Sequence, residues 1–246
     1  MSTSKHVVIT GASGGIGAAL ALQLCRDGMR VAIVARRETE LREVATQCGP
    51  NALPIVADVS DRETVADVVD EVIENFGHID VWVNNVGRGI NRLATEVTDD
   101  DIDEMMRINV KTALYGMQQV LPHFKERGVG HIINVSSMLG RIPMAPIRSV
   151  YSASKHFLNA FTANFREAVQ TTHPNIQVSL VSPGIVATEF GNNALGGGPD
   201  SRTFPTAQSA ETVAEVIAGV IGSRKADVYT VPGAQAGVVA YYSAER

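Results

Sequence analysis

The sequence predicts an α/β fold in which helices cover both faces of one parallel β-sheet. Short apolar runs alternate along the chain with segments whose apolar residues recur at helical spacing. The apolar runs are not interrupted by polar residues, which is typical of strands buried on both faces, as in a parallel sheet. Because this alternation extends almost from end to end, we predict a single doubly wound domain over residues 1–246.

The predicted elements follow one another in a regular order. Strand His6–Thr10 precedes a helix over Gly15–Gly28, whose final glycine suits a C-cap. The remaining predicted strands are Arg30–Ala35, Ala52–Ala57, Ile79–Val83, His131–Val135, Ile176–Val181 and Val228–Val231. The remaining predicted helices are Glu38–Cys48, one ending near Phe76, one from Thr98 to about Lys125, Val150–Thr171 and Ala210–Ile221.

Two of the helix starts carry a capping signal. Ser60 and Glu63 have the S-x-x-E spacing of a capping box, so we expect the third helix to begin there. Thr98 precedes three successive aspartates, and carboxylates in a first turn are stabilised by the helix dipole. We therefore expect these side chains to cap helices rather than to bind cations.

The charge balance argues against nucleic acid as a partner. Lysine and arginine total 21 and aspartate and glutamate total 26, which gives a formal charge of −5. The longest basic run is Arg36-Arg37, whereas binding to a phosphate backbone needs clustered basic residues.

The cysteines and the hydropathy pattern indicate a cytoplasmic protein. Cys25 and Cys48 form no C-x-x-C motif, so we expect two reduced thiols and no metal site. We find no signal-peptide pattern and no run of about 18 apolar residues that would span a membrane.

One segment, residues 189–209, breaks the alternation of strands and helices. It contains Gly196-Gly197-Gly198-Pro199 and follows the strand predicted over Ile176–Val181. A long glycine-rich insertion in a compact domain is typical of a functional or disordered loop. Ligands of open parallel sheets bind outside the carboxyl ends of the strands, so we predict a substrate loop or lid here.

The segment after the first strand, Thr10–Gly17, predicts a nucleotide site. Its glycines follow the pattern G-x-x-x-G-x-G rather than G-x-G-x-x-G, whose third glycine would fall on Leu20. Glycines let the backbone approach a pyrophosphate, and a helix N-terminus offers free N–H groups and a positive dipole end. A plain strand-to-helix turn is the alternative, but it would not need four glycines within seven residues.

The end of the second strand favours NADP over NAD. An NAD site commonly places an acidic residue there, but this chain has Arg36 and Arg37 with no acid before Glu38. Guanidinium groups suit a 2′-phosphate, which they can bind through two hydrogen bonds. The alternative is that both arginines are solvated at a helix start.

Tyr151 and Lys155 are four residues apart near the start of the long helix, so they share one face. They follow a strand that ends in Asn134-Val135-Ser136-Ser137. Reduction of a carbonyl by hydride needs a proton donor near the oxygen, and an ammonium group lowers the pKa of a phenol. A serine hydroxyl can hydrogen-bond the same oxygen. The alternative for Tyr151 is a half-buried helix tyrosine.

Taken together, these motifs resemble the short-chain dehydrogenase/reductase family. The motifs that carry the resemblance are Thr10-Gly-x-x-x-Gly-x-Gly17, Asn84-Asn85-Val86-Gly87, Ser137, Tyr151-x-x-x-Lys155 and Pro183-Gly184. They come in the family's order and span essentially the whole chain. The resemblance implies a single Rossmann-like domain and a homo-oligomer, a tetramer or a dimer, built from the two long helices at about 101–125 and 150–171.

The resemblance also implies the catalytic residues. Tyr151 would be the general acid/base, and Lys155 would hold the nicotinamide ribose and lower the tyrosine pKa. Ser137 would orient the carbonyl, and Asn109 would anchor a water molecule in a proton relay.

A wider cofactor site follows from the same resemblance. Asp58 would contact the adenine amino group, Asn85 and Gly87 would lie beside the adenosine ribose, and Thr188 would contact the carboxamide. The implied cofactor residues are Gly11, Ser13, Gly14, Gly15, Ile16, Gly17, Arg36, Arg37, Asp58, Val59, Asn85, Gly87, Tyr151, Lys155, Pro183, Gly184, Ile185 and Thr188.

Two features depart from the family pattern. Val86 replaces the usual alanine, and the interval from Ser137 to Tyr151 is 151 − 137 = 14, one residue longer than in many members. The extra residue lies within 138–150 and so alters the pocket wall rather than the helix. If Ser136 were the functional serine, the interval would be 15.

Residues near Ser137 bear on the substrate. Four apolar side chains could line a pocket or could pack as an ordinary loop: Met138, Leu139, Ile142 and Met144. Arg88 could meet an anionic substrate or could be a solvated surface residue.

The expected function is NADP-dependent hydride transfer between nicotinamide and a carbonyl or alcohol, with a medium-sized hydrophobic ketone or secondary alcohol as substrate. The alternatives are an NAD-dependent alcohol dehydrogenase, an isomerase or dehydratase on the same fold, and a non-catalytic dinucleotide-binding regulator.

Overall fold

The computed structural model describes residues 4–244, so both ends of the predicted domain 1–246 lie outside the described residues. The strands are β1 (His6–Thr10), β2 (Arg30–Ala35), β3 (Ala52–Val56), β4 (Val81–Asn84), β5 (Gly130–Val135), β6 (Ile176–Ser182) and β7 (Asp227–Tyr229). All pair in parallel, in the order β3-β2-β1-β4-β5-β6-β7. The order reverses between β1 and β4, which is the topological switch point of a doubly wound sheet. The predicted fold class is confirmed.

Helices flank the sheet on both faces, and most of the predicted bounds agree with the structure within two residues. The helices are α1 (Gly15–Arg26), α2 (Glu38–Cys48), α3 (Arg62–Phe76), α4 (Asp99–Met106), α5 (Thr112–Arg127), α6 (Ser149–Gln170), α7 (Ala210–Ser223) and α8 (Ala234–Ser243). The sequence analysis missed α8, because none of its residues is buried and its apolar residues mark no single face.

The core has two layers because successive residues of each strand point to opposite faces of the sheet. Val7 and Ile9 of β1 pack with α1, α2 and α7, whereas Val8 packs with α3, α5 and α6. Trp82 of β4 and Phe124 of α5 are fully buried in the second layer. Burial on both faces is why these strands are continuously apolar, and it holds the loops at their carboxyl ends on a rigid base.

The predicted capping box at the start of α3 is wrong. Asp61, not Ser60, is the N-cap, and its carboxylate accepts a hydrogen bond of 2.8 Å from the Thr64 amide. The Ser60 hydroxyl instead accepts a hydrogen bond from the guanidinium of Arg107. The predicted start at Thr98 is confirmed, because Thr98 and Asp101 cap each other reciprocally.

The helix expected from Thr98 to about Lys125 is interrupted. Residues 107–111 form a π-helical turn, which inserts an extra residue between α4 and α5. Such wide turns recur at functional sites because they redirect a side chain. Here the turn carries Asn109, which is completely buried.

The predictions about thiols and membranes can also be compared with the structure. Cys25 and Cys48 are both free thiols, as the sequence predicts. Between residues 4 and 244, no helix combines the length and the apolar character needed to cross a bilayer.

Candidate active site

The glycine loop between β1 and α1 has the shape of a phosphate cradle. Gly11 and Gly15 adopt φ angles of +69° and +53°, which favour glycine. A Cβ atom on Gly17 would lie 2.4 Å from the Gly11 carbonyl oxygen, so only glycine fits there. Gly14 is the N-cap of α1, and no side chain caps the helix. The first-turn N–H groups therefore remain available to an anion, as a dinucleotide requires.

Asn85 ties this loop to the end of β4. Its Nδ2 donates to the carbonyl oxygens of Thr10 and Gly11, at 3.2 Å each, and its amide donates to Thr10 Oγ1 at 3.1 Å. The two strands that flank the switch point are thus joined by side-chain hydrogen bonds beside the cradle.

Arg36 and Arg37 extend over the outer side of the glycine loop. Arg37 donates through Nε to Ser13 Oγ at 3.2 Å and through Nη2 to the Ser13 carbonyl at 3.1 Å. Arg36 lies 3.4 Å from the carboxylate of Asp58. Burial on its own would raise the pKa of Asp58, but hydrogen bonds from Ser60 and the charge of Arg36 outweigh it and lower that pKa. Both arginines are exposed, so their guanidinium groups remain accessible to a ligand.

The hydroxyl of Tyr151 lies against Ser137 at the carboxyl end of β5. The tyrosine is 6% exposed, and its ring meets Phe190 edge-on with 5.5 Å between centroids. Burial raises the pKa of Tyr151 to about 12, while the hydrogen bond with Ser137 and the charge of Arg148 act in the opposite direction. The structure thus brings Ser137 to the phenol, whereas the Ser136 hydroxyl donates to Asn159.

Lys155 is buried beside Tyr151. Its Nζ donates to the Val135 carbonyl at 3.1 Å and lies 5.8 Å from the centroid of the Tyr151 ring. Burial lowers the pKa of Lys155 to about 8. The ammonium group therefore lies near the phenol without bonding to it.

Asn109 links three elements of the site. Its Oδ1 accepts from the Arg88 amide at 2.8 Å, and its Nδ2 donates to the Arg88 carbonyl at 3.0 Å. Nδ2 also lies 3.1 Å from Ser154 Oγ, which donates to the Tyr151 carbonyl at 2.7 Å. The π-helical turn therefore connects the β4–α4 loop to the helix that carries Tyr151.

The segment after β6 closes over the cradle. A Cβ atom on Gly15 would lie 3.2 Å from Thr188 Cγ2, so Thr188 sits directly above the glycine loop. Pro183 is buried, whereas Ile185 is 42% exposed. The cradle and the segment at 183–188 therefore lie together, as the family resemblance implies.

Residues 189–209 dock onto the site through backbone hydrogen bonds. Leu195 donates to the Gly89 carbonyl and accepts from the Asn91 amide, both at 2.8 Å. At the end of the segment, Gln208 exchanges backbone hydrogen bonds with Ile185 and Ala187. The segment brings Phe190 against Tyr151, a contact that the sequence analysis missed although Phe190 lies only two residues after Thr188.

The apolar residues near Ser137 do not form one surface. Leu139 packs in the cluster around Tyr151, which also contains Ile90 and Leu195. Ile142 is buried, and Met144 is 62% exposed. Leu139 and Leu195, the latter from residues 189–209, therefore lie in one apolar cluster with Tyr151.

Another cluster of polar side chains lies at the opposite end of the sheet, where β1 and β4 begin. His6, His78 and Asp80 bring potential ligand atoms within 4.8 Å of one another, although the histidine spacing in the sequence indicates no metal site. Arg127 pairs with Asp80 at 3.1 Å, and His6 Nδ1 bonds the His78 carbonyl at 3.1 Å. Because these contacts already engage Asp80 and His6, we still predict that no metal ion binds here.

Comparison with known proteins agrees with this geometry. The family model for short chain dehydrogenases matches residues 5–195. An uncharacterized oxidoreductase of Staphylococcus epidermidis is 35% identical over 184 residues, covering 75% of this chain and 79% of that protein. The chain therefore belongs to the short-chain dehydrogenase/reductase family and is an oxidoreductase of that family.

Solved structures share the fold. A short-chain dehydrogenase/reductase from Burkholderia phymatum in complex with NAD superposes with a TM-score of 0.88 at 23% identity, covering 96% of this chain and 92% of that one. An alcohol dehydrogenase from Thermococcus sibiricus, complexed with 5-hydroxy-NADP, gives 0.78 at 27% identity and covers 92% and 94%. Neighbours thus bind NAD or an NADP derivative.

The buried ammonium of Lys155 should destabilise the fold. A pKa near 8 instead of 10.5 means that the folded state binds the proton less tightly than the unfolded state. The protonated lysine then costs roughly 3 kcal/mol below pH 8, and stability rises with pH from 8 to 10.5. Lys155→Met removes this cost and one hydrogen bond of about 1 kcal/mol. We expect the variant to be about 2 kcal/mol more stable at pH 7, with a smaller gain at pH 10.

Urea unfolding at the two pH values measures this difference. Lys125→Met, at an exposed position of α5, is the matched control and should change stability by less than about 0.5 kcal/mol. A Lys155→Met protein less stable than wild type at both pH values would show that the buried lysine side chain stabilises the fold.

Proposed function

We propose that this protein is an NADP-dependent carbonyl reductase or alcohol dehydrogenase that acts on CH–OH groups. The observation that carries the proposal is the contact between Tyr151 and Ser137 at the carboxyl end of the sheet, where the glycine loop also lies. Lys155 and Asn109 lie beside this pair. Binding of a dinucleotide alone would need the glycine loop and Lys155, but it would not need Ser137 in contact with the Tyr151 hydroxyl. Their convergence favours catalysis over a regulator.

The residues of the chain divide the proton chemistry among them. The bound cofactor supplies or accepts the hydride at its nicotinamide. Tyr151 gives its hydroxyl proton to the substrate oxygen, and Ser137 hydrogen-bonds that oxygen. With a pKa near 12, Tyr151 is protonated at neutral pH, which suits the reductive direction. Lys155 would hold the cofactor ribose, and Asn109 would anchor the relay that returns the proton.

The lid and the apolar cluster favour a hydrophobic substrate. Tyr151 packs with Ile90, Leu139, Phe190 and Leu195, so a bound ketone would meet apolar side chains on several sides. Closing this surface would exclude water from the reacting carbonyl. We therefore propose a medium-sized ketone or secondary alcohol.

The choice of NADP rests on Arg36 and Arg37. Arg37 is fixed over Ser13 while keeping an exposed guanidinium, and Arg36 is next to it. The 2′-phosphate of NADP would balance this positive charge through charge-assisted hydrogen bonds. The free thiols favour a reducing, cytoplasmic location.

We further propose a homo-oligomer, a dimer or a tetramer, that uses the outer faces of α5 and α6. Phe157, Phe161 and Phe165 form a row along α6, with ring centroids about 6 Å apart. Phe157 is 46% exposed in the single chain, and a second copy would cover it.

Replacing Tyr151 by phenylalanine tests the mechanism. The ring and its packing remain, so NADPH should still bind, but loss of the proton donor should lower kcat by at least ~100-fold. Turnover is measured as oxidation of NADPH in a screen of ketones. Tyr115→Phe, on α5 beneath Arg62, should keep full activity. Near-normal turnover in Tyr151→Phe would overturn the mechanism.

Fluorescence titration with NADPH and NADH tests the cofactor. We expect NADPH to bind at least ~10-fold more tightly, a difference of about 1.4 kcal/mol. Arg37→Ala should remove most of that preference and leave NADH unchanged. Arg42→Ala, which breaks an exposed pair with Glu38 on α2, serves as the control. Equal affinities in the wild-type protein would contradict the assignment and favour NAD.

A further inference from the structure

Four arginines lie in the two loops that follow β4 and β5, namely Arg88, Arg92, Arg141 and Arg148, and one of them differs from the rest. Arg88 pairs with Glu104 at 3.3 Å, Arg92 with Asp101 at 3.0 Å, and Arg141 with Asp227. Asp101 and Asp227 neutralise Arg92 and Arg141. Arg88, the candidate from the sequence, shares Glu104 with Arg107 and donates to the Asn193 carbonyl, so its guanidinium is already engaged. Within residues 4–244, Arg148 pairs with no carboxylate.

Arg148 is held in a slot between the β4–α4 loop and the lid. Its Nη1 donates to the Ile90 carbonyl at 2.8 Å. A Cβ atom on Gly89 would lie 2.8 Å from Nη1, and one on Gly198 would lie 2.8 Å from Nη2. Both loops thus have a glycine where the guanidinium fits. One of its five N–H groups is bonded within the chain, which leaves the others for a ligand.

Arg148 lies close to Tyr151, the residue that would protonate the reacting carbonyl. It immediately precedes α6 and lies three residues before Tyr151, and its charge is close enough to act on the tyrosine hydroxyl. Ile90, whose carbonyl it binds, packs in the same cluster as Tyr151. A group bound by Arg148 would therefore lie near the carbonyl that Tyr151 protonates.

A half-buried cation without a counter-ion is unfavourable, because the single hydrogen bond to the Ile90 carbonyl replaces only part of the hydration that burial removes. In agreement, burial lowers the pKa of Arg148, although a guanidinium remains charged at neutral pH. An anionic ligand would replace the lost hydration, and a carboxylate matches the planar guanidinium fork.

We propose that Arg148 binds a carboxylate of the substrate, so that the enzyme acts on oxo acids and their hydroxy-acid products. This inference rests on the proposed function of the same site. The apolar cluster would contact the hydrocarbon part of the substrate, and Arg148 would contact its acid group. In the reaction, two electrons and one hydrogen pass from NADPH to the carbonyl carbon, and the oxygen takes a proton from Tyr151. The ketone becomes a secondary alcohol, and NADPH becomes NADP⁺.

Matched acid and ester substrates test this proposal in the wild-type protein. Benzoylformate and methyl benzoylformate have the same ketone and the same ring, and they differ only in the acid or ester group. Acetoacetate and methyl acetoacetate form a second pair of this kind. With NADPH, we expect kcat/KM for the acid to exceed that for its ester by at least ~10-fold in one of the pairs, the scale of a charged hydrogen bond. An ester preferred in both pairs would overturn the inference and leave the proposed function intact. If no carbonyl compound oxidises NADPH, the proposed function fails first.

Variants of Arg148 then test whether this residue causes the preference for the acid over the ester. Arg148→Met should lower kcat/KM for the acid by 10- to 100-fold and change that for the ester less than about 3-fold, which also shows that the variant folds. Arg148→Lys keeps the charge without the planar fork and should retain part of the preference. Arg26→Met, at the exposed far end of α1, controls for the loss of one positive charge and should leave both rates unchanged.

An equal loss on acid and ester in Arg148→Met would overturn the proposal. A basic limb of the ester pH profile that moves at the same time would indicate that Arg148 tunes Tyr151 instead. An acid preference that persists in full in Arg148→Met would equally exclude Arg148 as the binding residue.

Discussion

The candidate active site lies at the carboxyl end of the sheet, and its geometry depends on the side chain of Asn109. A buried amide must satisfy its hydrogen bonds, and Asn109 does so by holding both backbone groups of Arg88 and the hydroxyl of Ser154. The π-helical turn that interrupts α4 and α5 supplies this geometry. The hydrogen bonds of Asn109 fix the start of the β4–α4 loop, and Gly89 and Asn91 of that loop hold residues 189–209 through backbone hydrogen bonds with Leu195.

The β4–α4 loop therefore contacts both halves of the proposed site, the cofactor side and the substrate side. Toward the cofactor, Asn85 holds the glycine loop, and a Cβ atom on Gly87 would lie 3.4 Å from both Asn109 Oδ1 and Lys155 Nζ. Toward the substrate, Ile90 accepts the hydrogen bond of Arg148 and packs with Tyr151. Burial at this end of the sheet lowers the pKa of Lys155 and raises that of Tyr151, and perturbed groups of this kind are typical of functional sites.

Most of the sheet was predictable because burial on both faces leaves a strong apolar signal in the sequence. The glycine loop was predictable from the spacing of its glycines, whereas the convergence of Tyr151 with Ser137 was implied by the family resemblance. The interrupted helix was not, because its apolar pattern continues through Asn109 and a single extra residue in a turn has no clear signature. The cap at Asp61 and the slot around Arg148 were also missed. Each depends on contacts between residues or loops that the sequence alone does not indicate.

Transfer of deuterium from labelled cofactor tests the central claim most directly. NADPH carrying deuterium on one or the other face of nicotinamide C4 would be incubated with a ketone that the protein accepts, and the alcohol analysed by mass spectrometry. We predict that one of the two labels places deuterium on the carbinol carbon, in an amount equal to the cofactor oxidised. An alcohol without deuterium from either label, or a product formed while NADPH stays reduced, would contradict hydride transfer at this site.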